Sequence, residues 1–353
     1  MEKIKLGIVG LGYGEWIIND IVNNEITPYF TITGACDLNQ KRVDHITKTY
    51  GVKGYGSLEE MLQDDQIQAI GLFTAPLGRA KMIEQIIDAK KDVITTKPFE
   101  LDAIAAEKIL QKARLMGRKI MLNSPSPLLS PNLAQITDWV ETYKLGRIVG
   151  SRCDIWASYR EVEDGLWYDE KHLCPVAPIF RLGIYLINDL VRLFGEAKTV
   201  QVLHSRIFTK RPTPDNAQMG ILFENGGIAN VFASFCIEDG QYYKSSMVLN
   251  FERGTIYCNM NPMTYDQVKL ETAFSIVTLG VDEKQVVKKT TVPGSTVEYD
   301  WKAFYDILTG VIEIPVETDQ NIVNAIGIIN AMARSDESGK NELVNKKNLN
   351  GGI

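Results

Sequence analysis

The residues with the clearest chemical meaning stand near the start of the chain. An apolar run, Leu6-Gly7-Ile8-Val9, leads directly into Gly10-Leu11-Gly12-Tyr13-Gly14-Glu15-Trp16. A glycine turn between a strand and a helix lets backbone N–H groups and the helix N-terminus approach a pyrophosphate. Gly10, Gly12, Tyr13 and Gly14 are therefore the expected phosphate contacts. Asp37 follows the second apolar run, 27 residues after Gly10. A carboxylate there accepts the ribose hydroxyls of an adenosine and repels a 2′-phosphate, which favours NAD over NADP. Lys41 and Arg42, just beyond, are the residues that would offset that repulsion. The third glycine position of G-x-G-x-x-G carries Glu15, with Gly14 one residue earlier as a partial substitute.

Other groups have the chemistry to move a proton or hold a substrate. Lys97 follows the apolar pair Val93-Ile94, at the carboxyl end of an expected strand, where open α/β sheets bind ligands. Arg181, Tyr185, Asn188, Asp189 and Arg192 recur every three or four residues and share one face of an expected helix. Leu182, Leu186, Leu190 and Leu193 form its apolar face. The alternative for Arg181 is an internal ion pair with an acid such as Asp189 or Asp154, and that for Tyr185 is a core position. Trp167-Tyr168-Asp169-Glu170-Lys171-His172 is an aromatic, polar loop; Trp167 and His172 are candidate sugar contacts, with a packing lid as the alternative. His45 and His204 have no second ligand at metal spacing. No H-E-x-x-H, nucleophile elbow or P-loop occurs, and five scattered cysteines form no C-x-x-C pair, so no metal is expected.

These groups need elements to position them. From Ile4 to Leu122 apolar runs (Ile4–Val9, Phe30–Ala35, Ala69–Phe73, Val93–Ile94, Ile120–Leu122) alternate with helical stretches near 14–24, 40–49, 58–64, 79–90 and 102–116. Strands separated by helices of this length imply right-handed crossovers and a doubly wound parallel sheet, covered on both faces. Ser57 with Glu60 is a capping box, and Gly117 suits a left-handed helix end. The pattern breaks at Asn123-Ser124-Pro125-Ser126-Pro127. Thereafter Ile148–Ala157, Val200–Phe208, Met219–Phe223, Ile228–Phe235 and Met247–Phe251 read as strands, with helices near 131–146, 177–194, 299–313 and 319–334. Asn225-Gly226-Gly227 and Arg253-Gly254 are hairpin signals. The expectation is two domains, 1–123 and 124–353, the second an α+β domain with a large, mainly antiparallel open sheet. The polar segment 335–353 is expected to be loose.

Three later segments, with the glycine turn, resemble the glucose-fructose oxidoreductase / inositol dehydrogenase family (Gfo/Idh/MocA). Leu72-Phe73-Thr74-Ala75-Pro76 matches its fourth-strand run ending A-T-P. Asp92-Val93-Ile94-Thr95-Thr96-Lys97-Pro98-Phe99 matches its E-K-P signature, with Thr96 in place of the glutamate. Leu182 to Asn188 stands where the family has D-x-G-x-H-x-x-D, with Tyr185 for the histidine and Arg181 and Asn188 for the two aspartates. Leu77 replaces the asparagine after A-T-P. The resemblance implies a Rossmann domain with Thr74, Ala75, Pro76, Lys97 and Pro98 against the cofactor. It implies a second domain whose open sheet makes a homodimer or homotetramer. It also implies an NAD(H)-dependent oxidoreductase acting on a sugar, polyol or sugar-acid-like substrate.

Hydride transfer at a hydroxyl-bearing carbon needs the carbon held near the nicotinamide and the hydroxyl proton moved. Lys97 and Tyr185 are the expected acid/base pair. Lys97, Arg181 and Tyr185 together suggest an anionic substrate, with Trp167 and His172 at the rim. The rival reading is a non-catalytic dinucleotide-binding regulator similar to galactose-pathway repressors. Composition narrows the classes further. The chain has 353 residues, 45% hydrophobic and 23% charged, with a net charge of −6. A nucleic-acid partner is not expected without a basic excess. No apolar run reaches the ~18 residues of a membrane span, and no export segment opens the sequence, so a cytoplasmic location is expected.

Overall fold

The computed structural model describes residues 2–23, 28–239, 244–260, 271–280, 282–293 and 299–344. The chain divides into two compact units, Met1–Leu128 with Glu298–Gln320, and Leu129–Val297 with Asn321–Ile353.

The first unit is built on six strands: β1 (Ile4–Val9), β2 (Phe30–Cys36), β3 (Lys53–Tyr55), β4 (Ala69–Leu72), β5 (Asp92–Thr95) and β6 (Ile120–Leu122). Their order is β3-β2-β1-β4-β5-β6 and every pair is parallel. The helices between them are α1 (Leu11–Asn23), α2 (Gln40–Tyr50), α3 (Leu58–Leu62), α4 (Arg79–Asp88) and α5 (Ala103–Leu115). Short side-chain caps start several of them. Asn39, Ser57 and Asp102 each accept a hydrogen bond from a first-turn N–H, satisfying donors that a helix leaves open. Every residue of β4 is buried, as a central parallel strand covered on both faces requires. β3 escapes the sequence reading because only three residues, Lys53-Gly54-Tyr55, form it.

The second unit contains α6 (Pro131–Thr142), β7 (Ile148–Trp156), a π-helical turn (Ile179–Gly183), α7 (Ile184–Phe194), β8 (Ala197–Ser205), β9 (Asn216–Phe223), β10 (Ile228–Ser234), β11 (Lys244–Phe251), β12 (Gly254–Met260), β13 (Glu271–Leu279) and β14 (Gln285–Pro293). With β15 (Glu342–Leu343) they form one sheet, ordered β14-β13-β12-β11-β7-β10-β9-β8-β15. Only β7 and β10 pair in parallel; the rest are antiparallel. The two expected hairpins are present, closing β9 to β10 and β11 to β12.

Two departures from the sequence reading matter. Helix α8 (Trp301–Leu308), expected in the second domain, belongs to the first unit. There Trp301, Phe304 and Ile307 join a core that includes Leu6, Ile8, Ile17 and Phe30. The Phe304 ring stacks on Phe30 at 5.5 Å, and Trp301 meets it edge-on. The i, i+3, i+6 apolar spacing shows that this helix must be covered, but says nothing about which sheet covers it. The first unit is thus discontinuous, and its boundary at 128 lies beyond the one read at 123. Second, the segment expected to be loose begins inside a helix. α9 (Val316–Ser338) runs through Ser335, which is 1% exposed and binds Val202 N–H and Lys340 O. Residues 345–353 lie outside the described residues.

Candidate active site

The carboxyl ends of β1, β4 and β5 converge in the first unit. Gly10 N–H donates to Cys36 O and Phe73 N–H to Val9 O, which ties the turn after β1 to the ends of both neighbouring strands. Gly10 has φ 88°, and a Cβ there would lie 2.6 Å from the Phe73 carbonyl oxygen. Only glycine has both the conformation and the space. A Cβ on Gly14 would lie 2.7 Å from Ile8 Cγ2, the close helix–strand packing that a third glycine provides. Glu15 Oε1 lies 3.0 Å from His45 Nε2 on α2. Asp37 Oδ2 accepts the Leu11 N–H at 2.7 Å, and Oδ1 accepts that of Asn39 at 2.8 Å. This combination suits a dinucleotide: a cradle that any Cβ would fill, helix N–H donors, and an acid at the end of β2.

Thr74, Ala75 and Pro76 follow β4, and Thr96, Lys97 and Pro98 follow β5, on the same edge of the sheet. Lys97 is half-buried, and its N–H donates to Asn123 Oδ1 at 3.3 Å. The device holding these loops is invisible in the sequence. Arg79, at the first position of α4, is 1% exposed. Its Nη1 donates to Thr96 O at 2.7 Å, to Phe99 O at 3.1 Å and to Pro98 O, and its Nη2 to Thr74 O. Glu100 answers in the opposite direction, accepting the N–H groups of Gly78, Ala80 and Leu101. An arginine after a turn glycine reads as a surface residue, so no pattern exposes this clamp.

Tyr299 packs edge-on to Phe73 at 5.4 Å, and Tyr13 touches both rings, at 6.4 Å from Tyr299 and 5.8 Å from Phe73. The Tyr299 hydroxyl is buried, with Thr96 as its polar neighbour. Burial pushes this phenol far above its ordinary pKa, Tyr13 adds to the rise and Thr96 opposes it, so Tyr299 is a neutral group at any working pH.

In the second unit Arg181, Tyr185 and Trp167, but not His172, are placed in or against the π-helical turn. Val176, buried and β-branched, takes φ 45° just before it, a strained conformation of the kind found near functional sites. π-turns have the same tendency. Arg181 lies in this turn and makes the internal pair, but with neither acid named from the sequence. Its Nη1 and Nη2 donate to Glu161 Oε2 at 2.6 Å and Oε1 at 2.8 Å. Its guanidinium lies 4.2 Å from the Tyr168 ring centre. Arg211 donates to the same Glu161 and to Asp164 and Asp169. Burial alone would raise the Glu161 carboxyl, but Arg181 and then Arg211 outweigh it and hold it below its usual value. The network ties segment 161–169 to residues 181 and 211, which sequence separation conceals.

Tyr185 is half-buried in the first turn of α7, and Asn188, read as part of a polar stripe, is 2% exposed. Trp167 lies 3.9 Å from Tyr168 with the ring planes tilted by 36° and meets Phe180 edge-on, so its ring is engaged in packing. His172 is exposed, with Glu170 Oε2 3.7 Å from its Nδ1.

Fold and cradle define a nucleotide-binding Rossmann protein with a second, sheet-based domain. The chain belongs to the Gfo/Idh/MocA oxidoreductases: residues 4–124 match the oxidoreductase family model with an NAD-binding Rossmann fold, and 133–257 match the family's C-terminal domain. Among curated proteins it is 24% identical over 222 residues to a dehydrogenase of Aspergillus oryzae, a match covering 59% of this chain and 60% of that relative. It is 24% identical over 262 residues to a galactose 1-dehydrogenase of Pseudomonas fluorescens, covering 72% of this chain and 78% of the relative. Among solved structures, the WlbA dehydrogenase of Bordetella pertussis, in complex with NADH and UDP-GlcNAcA, superposes with a TM-score of 0.70 at 15% identity, covering 97% of this chain and 99% of that one. Among the described residues no helix is long and apolar enough to cross a membrane.

Proposed function

We propose that the protein is an NAD(H)-dependent oxidoreductase that moves a hydride to or from a hydroxyl-bearing carbon of a sugar, polyol or sugar acid. The observation that carries this reading is the cradle at the carboxyl edge of the parallel sheet. A glycine turn closed against Phe73, an acid at the end of β2 and a half-buried lysine after β5 stand on one edge of one sheet. When bound, the nicotinamide supplies the hydride acceptor or donor. Gly10, Gly12 and the N-terminus of α1 hold the pyrophosphate; Asp37 orients the adenosine ribose. Lys97 takes or returns the hydroxyl proton, its loop braced by Arg79 and Glu100. For Tyr185 as the second proton-transfer group, the support is the family resemblance. Arg181 spends its two terminal nitrogens on Glu161, so it no longer argues for an anionic substrate. The galactose 1-dehydrogenase relative supports neutral sugars as the first class to try.

The test is NAD(H) turnover across sugars, polyols and sugar acids, wild type beside Lys97→Met. A substrate-dependent rate that falls about a hundredfold or more in Lys97→Met supports the reading, since general acid–base groups contribute roughly 10²–10⁴. Equal rates in the two proteins would remove Lys97 from the chemistry. We also propose self-association through the large sheet. Tyr257, Leu279 and Val287 are exposed apolar groups on strands of that sheet. Sedimentation would show a dimer or tetramer, or a monomer that ends this proposal.

A further inference from the structure

The ion-pair network of the second unit is more elaborate than the packing of one loop requires. The Arg211 side chain is 8% exposed. It donates to Glu161 Oε2 at 2.8 Å, to each Asp164 oxygen at 2.9 Å and to Asp169 Oδ1 at 2.6 Å. Asp169 also accepts the N–H groups of Asp164 and Gly165. Lys210 N–H donates to Glu161 O at 3.1 Å, and Thr213 Oγ1 to Tyr168 O at 3.0 Å. Segment 161–169 is thus fastened to segment 210–213, and both Glu161 oxygens are held against Arg181. Three rings enclose that guanidinium, Tyr168 at 4.2 Å, Phe235 at 5.0 Å and Tyr159 at 5.1 Å. A buried ion network is often no more stabilising than apolar packing of the same volume. The element it holds is costly too, a π-turn preceded by Val176 at φ 45°. Two unfavourable features on one element point to a fixed geometry, rather than stability, as what the network provides.

We propose that Arg211 and Glu161 are positioning residues: they hold Arg181, and through it the π-turn, so that Tyr185 keeps one orientation at the start of α7. Tyr185 lies four residues after Arg181, beside it on the same helix face. A π-turn contains about one residue more than an α-turn, so its relaxation to α-helix would rotate the preceding residues by about 100° relative to α7. The bidentate Arg181–Glu161 pair opposes that rotation, because a planar fork on a carboxylate fixes direction as well as distance. Arg211 acts one step further back. It anchors Glu161 and the two flanking acids, so that Glu161 cannot follow Arg181 if the turn relaxes. Neither residue need touch the reacting atoms or change protonation. The inference rests on the reading above that Tyr185 transfers a proton, and it adds the residues that hold Tyr185 for that step.

The experiment is steady-state turnover of the full chain with NAD and the panel of sugars, polyols and sugar acids, for wild type, Arg211→Met, Tyr185→Phe and the double variant. NADH titration and thermal unfolding accompany it. Assayed well below its melting temperature, Arg211→Met should lower kcat about tenfold or more while KM changes less than about threefold. Its NADH Kd, set by the first unit, should stay within about twofold of wild type. Tyr185→Phe should lower kcat to a similar extent. The double variant should fall no more than about threefold below the worse single one, because a misplaced phenol has no proton transfer left to lose. Should Arg211→Met not fold, Glu161→Gln, which breaks the bidentate pair, carries the same expectations. A kcat within about twofold of wild type in the folded variant overturns the inference, and so do losses that multiply in the double variant. If Tyr185→Phe leaves kcat unchanged while Lys97→Met abolishes it, the inference falls and the oxidoreductase reading stands. If nothing in the panel turns over, that reading fails and the inference with it.

Discussion

Replacing Arg79 with methionine tests the device on which the site depends. Methionine keeps most of the side-chain volume, so the perturbation is the loss of the guanidinium. Four backbone carbonyls, those of Thr74, Thr96, Pro98 and Phe99, lose their donor in a region where Arg79 is 1% exposed. An orphaned buried acceptor costs about 1–3 kcal/mol. Replacing a buried charge by a hydrophobe is harmless only when its partners go too, and here the partners are main chain and stay. Partial relaxation of the loops reduces the sum, which leaves about 4 kcal/mol, the upper range of single substitutions. At about 2–4 °C per kcal/mol for a body of this size, the melting temperature falls by roughly 10 °C. There is a functional consequence too. In a planar trans peptide the C=O and the following N–H point in opposite directions. Carbonyls drawn inward by Arg79 therefore turn the N–H groups of Ala75, Lys97 and Phe99 away from it. Arg79→Met should then weaken NADH binding even well below its own melting point, while Arg79→Lys, with one ammonium for four acceptors, falls between. Thermal unfolding followed by circular dichroism, with NADH titration at 15 °C, reads both. A melting temperature within 2 °C of wild type would refute the account of the clamp.

Other expectations concern single groups. Phe304→Ala removes a fully buried ring stacked on Phe30 and should cost about 3–5 kcal/mol in urea unfolding; a loss under 1 kcal/mol would place α8 outside the first unit's core. Glu161→Gln removes the carboxylate that Arg181 holds with both terminal nitrogens and one of the three acids around Arg211. The carboxylate is 25% exposed, so the expected loss is about 2 kcal/mol rather than the 3–5 of full burial. Because Arg181 and Arg211 hold its folded pKa below the ordinary value, this stability is present above about pH 4.3 and is lost as the pH falls through the lowered value, where wild type and variant should converge. Asp189 behaves in the opposite sense. Burial lifts its carboxyl to about 7, with Arg192 opposing. The folded state then holds a proton that the unfolded chain has released, so stability falls as pH rises from about 4 to 7. Asp189→Asn should remove that slope and stabilise the protein at pH 8 by about 2 kcal/mol; an unchanged pH profile would mean that Asp189 is ionised in the fold.

Much of the first unit is legible in the sequence because its signals are local. The glycine turn, the acid after β2 and the strand–helix alternation each depend on neighbours within about 30 residues, and the Asn225-Gly226 hairpin closes on itself. The later strands of the sheet carry weaker signals. β14, Gln285-Val286-Val287-Lys288-Lys289-Thr290-Thr291-Val292-Pro293, is polar and mostly exposed, so no apolar run announces it. Arg181 could be seen as an arginine with something to hold, but not what it holds, since Glu161 and Arg211 lie 20 and 50 residues apart from their partners in the network.

The sequence by itself therefore determined the alternating architecture, the nucleotide turn and the position of Lys97, because hydrophobic periodicity and glycine conformations act over a few residues. Only the tertiary structure decided that α8 completes the first unit, that Arg79 and Glu100 clamp the loops flanking Lys97, that Arg181 is neutralised by Glu161, and that Arg211 anchors Glu161. Those outcomes depend on which distant segments meet, and on whether a charge is buried against backbone or left in water. A residue's type fixes its hydrogen-bonding capacity, but only the folded neighbourhood determines its partners.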